Sequence, residues 1–411
     1  MFKQFCVGLV CLLLLSTKPA IASEADAIAI SQNIRARHMP YGIIIDPVFQ
    51  SPESEQILSY THCGDSAIWT GHYLAAEAFR YSVTRSEEAL DNVRVTIGGI
   101  ATLLNVTGTH LLSRCYVPAD SPYAQAIIQE EGGHGVYQSP EFGYYWIGNT
   151  SRDQYAGVFF GLAAAYDLVD LPDVREAIGP IVTVLLDFLR DHHWIVTMPN
   201  GEASTTFIGR ADQQLSFLQV GRHVNSGHFS TAYDLYRFFL SSQVIIPISL
   251  EVLNNNSYFK FNLDSINLFD LIRMERSSFG GLYRAAYDVL RRHTDDHGNA
   301  FFNMIDREVN GPNERRDAET RQLLQNWLLR PRRDTPIELR GIYPACGGED
   351  RACAPIPVSD RARTDFLWQR SPFQLDGSGT GRIEGAGIDY ILPYWMARFY
   401  GVEEPPPPDQ D

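Results

Sequence analysis

Apolar and small residues recur at helical spacing through long stretches of this chain. The stretches come in pairs, joined by turns so short that the two partners must lie antiparallel. Ile68, Tyr73, Ala76, Phe79 and Tyr81 mark a helix over 66–83, and Leu90, Val93, Ile97, Ile100 and Leu104 mark its partner over 87–104, with only Thr84-Arg85-Ser86 between them. A second pair, 155–169 and 174–189, is parted by Asp170-Leu171-Pro172-Asp173. Such pairs are αα-hairpins. Further helices are expected over 230–240, 264–275, 280–292, 317–329 and 388–400. Residues 244–253 are β-branched enough for a strand, or form a buried helix carrying Pro247. Period-two alternation is scarce elsewhere. The expected fold is all-α, one large domain over 23–401 built as an (α/α) toroid of inner and outer helices. A plain irregular helical bundle is the alternative, and without a strict repeat a regular solenoid is not expected.

The ends of the chain read differently from its body. Lys3, an apolar run over 7–16 and Ala20-Ile21-Ala22 have the form of a secretory signal peptide over 1–22. The run is too short to cross a bilayer, and no later run reaches spanning length. A periplasmic or secreted protein with no membrane span is expected. Residues 402–411, proline-rich and acidic, read as a disordered tail. Once the leader is removed, Cys63, Cys115, Cys346 and Cys353 remain. An oxidising compartment permits disulfides, and Cys346 and Cys353 bracket a polar loop that suits a local staple. Four cysteines allow three pairings, and spacing alone leaves them open.

The net charge of -15, from 34 basic and 49 acidic residues, argues against binding a nucleic-acid backbone. With 45% hydrophobic residues the chain can bury a sizeable core. No G-x-x-x-x-G-K-[ST] supports nucleotide binding, and no G-x-S-x-G supports a serine hydrolase. No C-x-x-C suggests zinc, and no cofactor is implied.

Chemistry-bearing residues gather in the loops before helices. Asp65, Trp69 and His72 stand at i, i+4 and i+7 of the helix opened by Cys63-Gly64-Asp65, so they share a face. A carboxylate, an indole and an imidazole suit sugar recognition; equally, Asp65 could cap the helix while Trp69 and His72 fill core. Tyr144-Tyr145-Trp146 precedes Thr150-Ser151-Arg152-Asp153-Gln154-Tyr155, in which Thr150 and Asp153 have capping-box spacing. Tyr145, Trp146, Arg152 and Tyr155 are candidate ligand contacts there, as is His134 in a glycine-rich loop. Gly157, Gly161 and Ala164 form a stripe that allows close helix packing. Asn225 and His228 precede a helix holding Tyr233. Asp295-Asp296-His297-Gly298-Asn299 reads as a polar turn rather than a calcium loop. Arg370 and Glu384 belong to a C-terminal block suited to a cavity rim.

The openings Gly64-Asp65…Trp69-Thr70-Gly71 and Asp153…Gly157…Leu162-Ala163 resemble inner helices of the six-hairpin (α/α)6 carbohydrate-active superfamily, which includes unsaturated glucuronyl hydrolases, other glycosidases and sugar epimerases. The resemblance covers about residues 65–191 and rests on short motifs. It implies that inner-helix N-termini line a toroid mouth, with Asp65 and Asp153 doing acid/base work on an oligo- or polysaccharide.

Glycoside cleavage uses two carboxyl groups, one protonated and one ionised. Asp65, near Trp69, suits the acid; Asp153, beside Arg152, suits the ionised partner. A second reading is a polysaccharide lyase or epimerase using Asn225, His228 and Tyr233. A third is a non-catalytic glycan-binding envelope protein with Trp69, Tyr145, Trp146 and Trp368 as stacking platforms.

Overall fold

The computed structural model describes residues 22–139, 141–253, 258–347, 353–361 and 369–404. Almost all of the expected leader, Trp368 and the tail from residue 405 lie outside the described residues. Helix accounts for 60% and strand for 10%, an all-α chain.

Fourteen α-helices occur among the described residues. The first part of the chain holds α1 (Glu24–Asn33), α2 (Ser66–Thr84), α3 (Glu87–Asn105), α4 (Ala124–Glu130), α5 (Arg152–Leu168), α6 (Pro172–Asp191), α7 (Ala211–Val224) and α8 (Ser226–Leu240). The remainder holds α9 (Ile245–Val252), α10 (Tyr258–Met274), α11 (Gly280–Thr294), α12 (Ala300–Asn310), α13 (Glu314–Leu328) and α14 (Ile388–Phe399). The expected pairs are present with boundaries shifted by a few residues. Residues 245–252 are helical, as one of the two expectations for that segment had it.

Helix starts follow ordinary capping chemistry. Ser23 and Asp26 form a capping box on α1. The Ser86, Asn299 and Asn313 side chains accept from the first turns of α3, α12 and α13, so 295–299 is indeed a polar turn. Pro172 opens α6, where its missing N–H costs nothing.

Two kinds of helix alternate. Almost every residue from Ser66 to Tyr81 of α2 is buried, as are 154–165 of α5, 211–221 of α7, 261–272 of α10 and 388–397 of α14. Helices α3, α6 and α11 bury one stripe only, the pattern of a helix with one solvent face. Helix α2 packs against α5, α5 against α7, α7 against α10, α10 against α12, α12 against α14, and α14 against α2, so the sequence of neighbours closes on itself. Helices α3, α6, α8, α11, α13 and α1 pack against α2, α5, α7, α10, α12 and α14 respectively.

The contact between α2 and α5 is unusually close. A Cβ at Gly71 would lie 1.9 Å from the Gly157 carbonyl oxygen, one at Gly161 2.3 Å from that of Gly71, and one at Gly157 2.6 Å from that of Ile68. The two main chains therefore touch where helix axes ordinarily stay about 8–10 Å apart.

Short antiparallel strands precede three of the buried helices. Strands β1 (Asp46–Phe49) and β2 (Ile57–Thr61) come before α2. Strands β3 (Cys115–Pro118) and β4 (Val136–Ser139) flank β5 (Tyr144–Ile147) before α5. Strands β6 (Ile195–Thr197) and β7 (Ala203–Thr206) come before α7, and β8 (Ile337–Glu338) pairs with β9 (Asp376–Gly377). Four-residue strands are too short to show an alternation in sequence. No single helix among the described residues is long and apolar enough to cross a membrane.

Of the three possible cysteine pairings, the structure has Cys63–Cys115, with Cα atoms 5.5 Å apart, and Cys346–Cys353. The first ties the residue two before Asp65 to β3. Closing its 52-residue separation stabilises the fold by about 4 kcal/mol on loop entropy, against about 2 kcal/mol for the seven-residue separation of the second. Urea unfolding of Cys63→Ala/Cys115→Ala and Cys346→Ala/Cys353→Ala variants should show the first losing more; the reverse order would defeat the loop-entropy account.

Candidate active site

The start of α2 lacks the cap its sequence suggests. Asp65 occupies the N-cap position, but its carboxylate takes no hydrogen bond from the helix. The Ile68 N–H instead donates to Gln154 Oε1 of α5 at 3.0 Å. The same amide reaches both acids through its nitrogen: Nε2 stands 3.5 Å from Asp65 Oδ1 and 3.3 Å from Asp153 Oδ2. At the start of α5 the expected capping box is also missing, because the Thr150 hydroxyl donates to the Leu112 carbonyl at 2.5 Å. Both acids are thus released from helix capping.

Asp65, Trp69 and Asp153 line one cavity, together with Ile68, Gln369 and, from α10, Phe259, Asn262 and Leu263. Its volume is about 20 Å³, room for one water molecule. Gln369 Nε2 donates to Asp65 Oδ2 at 3.3 Å. Burial and the charge of Asp153 push the Asp65 carboxyl up from the usual range, against the pull of Arg114, Gln369 and His62. That is the direction a proton donor needs.

Arg152 sits half-buried at the first turn of α5, where burial and neighbouring Arg210 lower its guanidinium from the ordinary value against the charges of Asp212, Glu251 and Asp153. The cation paired with Asp65 is Arg114, whose Nη1 is 3.7 Å from Asp65 Oδ1. Arg114 donates from Nη1 to the Gly64 carbonyl at 2.7 Å, from Nε to Asn149 O at 2.8 Å and from Nη2 to Ser151 Oγ at 2.7 Å. It therefore ties together the turns that precede α2 and α5. Nothing in the sequence around Arg114 marks it, since its partners are backbone oxygens and a serine.

The other expected residues scatter. His72 is fully buried below the cavity: Nδ1 donates to Ile68 O at 2.8 Å, Nε2 meets the Asn262 amide, and burial lowers it to about 4, so the ring is neutral. Tyr155 is buried core, packed edge-on against Phe207. Trp146 is buried and stacked on Tyr137 at 4.4 Å within the β3–β5–β4 sheet, where Tyr145 is half-buried; neither lines the cavity. His134 is half-exposed. Its Nδ1 lies 2.6 Å from Glu131 Oε2, and Glu131 Oε1 accepts the Gly64 N–H at 2.7 Å, which sets this pair beside the start of α2. Arg370 is exposed, next to Gln369.

Asn225, His228 and Tyr233 are not brought to the cavity. Asn225 Nδ2 donates to Thr183 Oγ1 of α6, and His228 Nε2 pairs with Asp187 of α6 at 2.8 Å. The Tyr233 hydroxyl donates to Glu275 at 2.6 Å, and burial pushes it far above its ordinary value, the wrong direction for proton transfer. All three side chains are engaged in joining α8 to its neighbours.

Glu384 lies in a buried polar line. Asn33 Nδ2 donates to its Oε1 at 2.6 Å, and His38 Nε2 stands 3.5 Å from the same oxygen. His38 Nδ1 meets Asp46 Oδ1 at 3.0 Å, and Asp46 Oδ2 meets His62 Nδ1 at 2.8 Å. Although burial works against ionisation, these hydrogen bonds hold both Asp46 and Glu384 at about 2, below their ordinary 3.8 and 4.5. Depressed carboxylates stabilise the fold above their unfolded values and lose that contribution as pH falls through the folded ones. Between about pH 4.5 and 2 the protein should lose about 4–5 kcal/mol from this line. Raised His38 acts oppositely, stabilising below 6.5 and fading as pH rises past its folded value. Urea midpoints measured down this acid range should flatten in Glu384→Gln; an unchanged slope would show the line carries no linkage.

Comparison with known proteins finds no family model that matches this chain and no curated protein similar to it.

Proposed function

We propose that this chain is a secreted carbohydrate-active protein with an (α/α)6 toroid fold, acting as a glycoside hydrolase through Asp65 and Asp153. The toroid is supported by the closed succession of buried helices α2, α5, α7, α10, α12 and α14, each backed by a one-sided partner. One observation carries the chemistry: two acids 88 residues apart in sequence meet in one cavity beside Trp69, bridged by a single glutamine amide. Oxygens held 3.5 and 3.3 Å from one nitrogen lie no farther apart than the carboxyls of glycosidases, about 5 to 9.5 Å.

In this reading Asp65, raised by burial and by Asp153, donates a proton to the leaving oxygen. Asp153, across the cavity, serves as base or nucleophile. Trp69 supplies an apolar wall. A cavity sized for one water has no room for a sugar ring, so substrate entry requires its lining side chains to move apart. The lyase reading is not favoured, because Asn225, His228 and Tyr233 are tied to α6 and Glu275 instead.

Incubation with a panel of oligo- and polysaccharides tests the proposal. Hydrolysis releases reducing ends without near-ultraviolet absorbance. Release accompanied by that absorbance marks a lyase, and tight binding with unchanged glycan marks a binding protein; either outcome overturns the hydrolase reading.

A further inference from the structure

Large apolar side chains stand exposed at scattered points of the surface, but Leu235, Phe238, Phe239, Ile246, Leu250 and Leu253 stand exposed together. Single exposed apolar residues are ordinary; a run of them marks a surface that something covers. Leu235, Phe238 and Phe239 lie at i, i+3 and i+4 on α8, and Ile246, Leu250 and Leu253 at i, i+4 and i+7 along α9. Only a short turn over 241–243 parts the two helices. The succession 235, 239, 242, 246, 250 and 253 keeps helical spacing across that turn, so the residues form one stripe. Ser242 is its polar member. Phe238 is 73% exposed and Leu253 80%. Leu282 of α11, the helix against which α9 packs, is exposed as well.

This stripe is also depleted of free charge. From Thr231 to Leu253 the charged residues are Asp234, Arg237 and Glu251. Arg237 donates to Asp234 at 2.8 Å and also reaches Glu275. Glu251 is buried and holds Arg210 and Lys260, each at 2.7 Å. A surface without spare cations has nothing to offer an acidic partner. Two copies of a chain with net charge -15 repel each other. An uncharged apolar phase meets neither objection.

Composition points the same way. Residues Ser226–Gln243 and Ile245–Val252 together are long and apolar enough to cross a membrane, with a bend of 40° between them. A core helix can pass that test because it is buried, yet α8 buries only Phe229 and Tyr233. Crossing is ruled out by the packing of α8 on α7 and of α9 on α11. A helix pair this apolar, held to the protein on one side and bare on the other, has the character of an interfacial element.

We propose that the outer face of α8 and α9 docks on the surface of a lipid bilayer, with Phe238, Phe239, Leu250 and Leu253 entering the headgroup–acyl boundary. The docking does not depend on what the Asp65–Asp153 cavity does, but it fixes where that cavity sits. Phe259 lines the cavity, and Lys260 beside it bonds Glu251 of α9. Docking on this face therefore sets the cavity close to the lipid headgroups.

Flotation of the full chain with phosphatidylcholine vesicles tests the proposal. The apolar run over 7–16 binds lipid by itself wherever it is retained, so the readout is the change made by substitution. Phe238→Ser/Phe239→Ser and Leu250→Ser/Leu253→Ser should each lower partitioning into vesicles at least about ten-fold. Their melting temperatures should stay within a few degrees, because these side chains lie outside the core. Leu329→Ser/Ile342→Ser removes two apolar groups of similar exposure elsewhere, 70% and 65%, and should leave partitioning unchanged. Salt at about 1 M should not release the protein, since no attraction between charges holds it. Equal flotation of all three variants and the unsubstituted protein, or release by salt, overturns the proposal. A dimer in sedimentation that Phe238→Ser/Phe239→Ser dissolves, with no binding to vesicles, assigns the face to a second copy and overturns it too.

Discussion

Asp65→Asn and Asp153→Asn should each lower glycan hydrolysis by about 10²–10⁴-fold while leaving the melting temperature within a few degrees. Neither carboxylate caps its helix or enters a tight ion pair, so an isosteric amide keeps what packing each provides. The two losses should differ in their pH signature. Asp65 is the group raised by burial and by its neighbour's charge, so its removal should erase the alkaline limb of the rate profile, where a proton donor ionises. Asp153→Asn should also let Asp65 ionise at lower pH, because it removes a charge that opposes that ionisation. If both variants retain full turnover on a glycan that the unsubstituted protein cleaves, the two acids are not the catalytic pair.

The largest expected loss of stability comes from one methyl group. Gly71→Ala should destabilise the fold by at least about 3 kcal/mol, more than ordinary overpacking, because the new Cβ would lie 1.9 Å from a backbone oxygen of α5. A side chain could swing away from such a contact, but a carbonyl within a helix cannot, so α2 and α5 would have to separate. Gly98→Ala is the matched control. Gly98 lies inside α3 with nothing within 4 Å of its built Cβ, so the change should be neutral or add about 0.5–1 kcal/mol through helix propensity. Equal urea midpoints for the two variants would show that the α2–α5 contact is looser than described.

Much of the helical framework was legible because burying one face of a helix leaves a period in sequence. Helices α2, α3, α5 and α6 follow that rule, and the glycines of α5 mark its close contact. Helices α1, α4, α7 and α12 escaped notice. Almost every residue of α7 from Ala211 to Gly221 is buried, including Asp212, Gln213, Gln214 and Gln219, so neither an apolar stripe nor a polar face stands out. Among site residues, Asp65, Trp69 and Asp153 could be picked from loops before helices, because an acid and an indole there are chemically conspicuous. His62, Asp46, Arg114, Gln154 and Asn262 could not. Their roles depend on contacts such as Asp46 to His62 and Asn262 to His72, made across distances no local spacing encodes. His228 and Glu384 show the complementary difficulty. A conspicuous residue type gives no hint whether its partner is a ligand or, as for these two, Asp187 and Asn33.

The three glycines where α2 meets α5 have a consequence for kinship. Because main chain rests on main chain there, the gap between the two acids is gauged by atoms every residue possesses, and surrounding side chains are free to diverge. Remote cousins of this chain should therefore be sought by the spacing of small residues and the bridging glutamine relative to the acids, since that skeleton can outlast the wording of the loops.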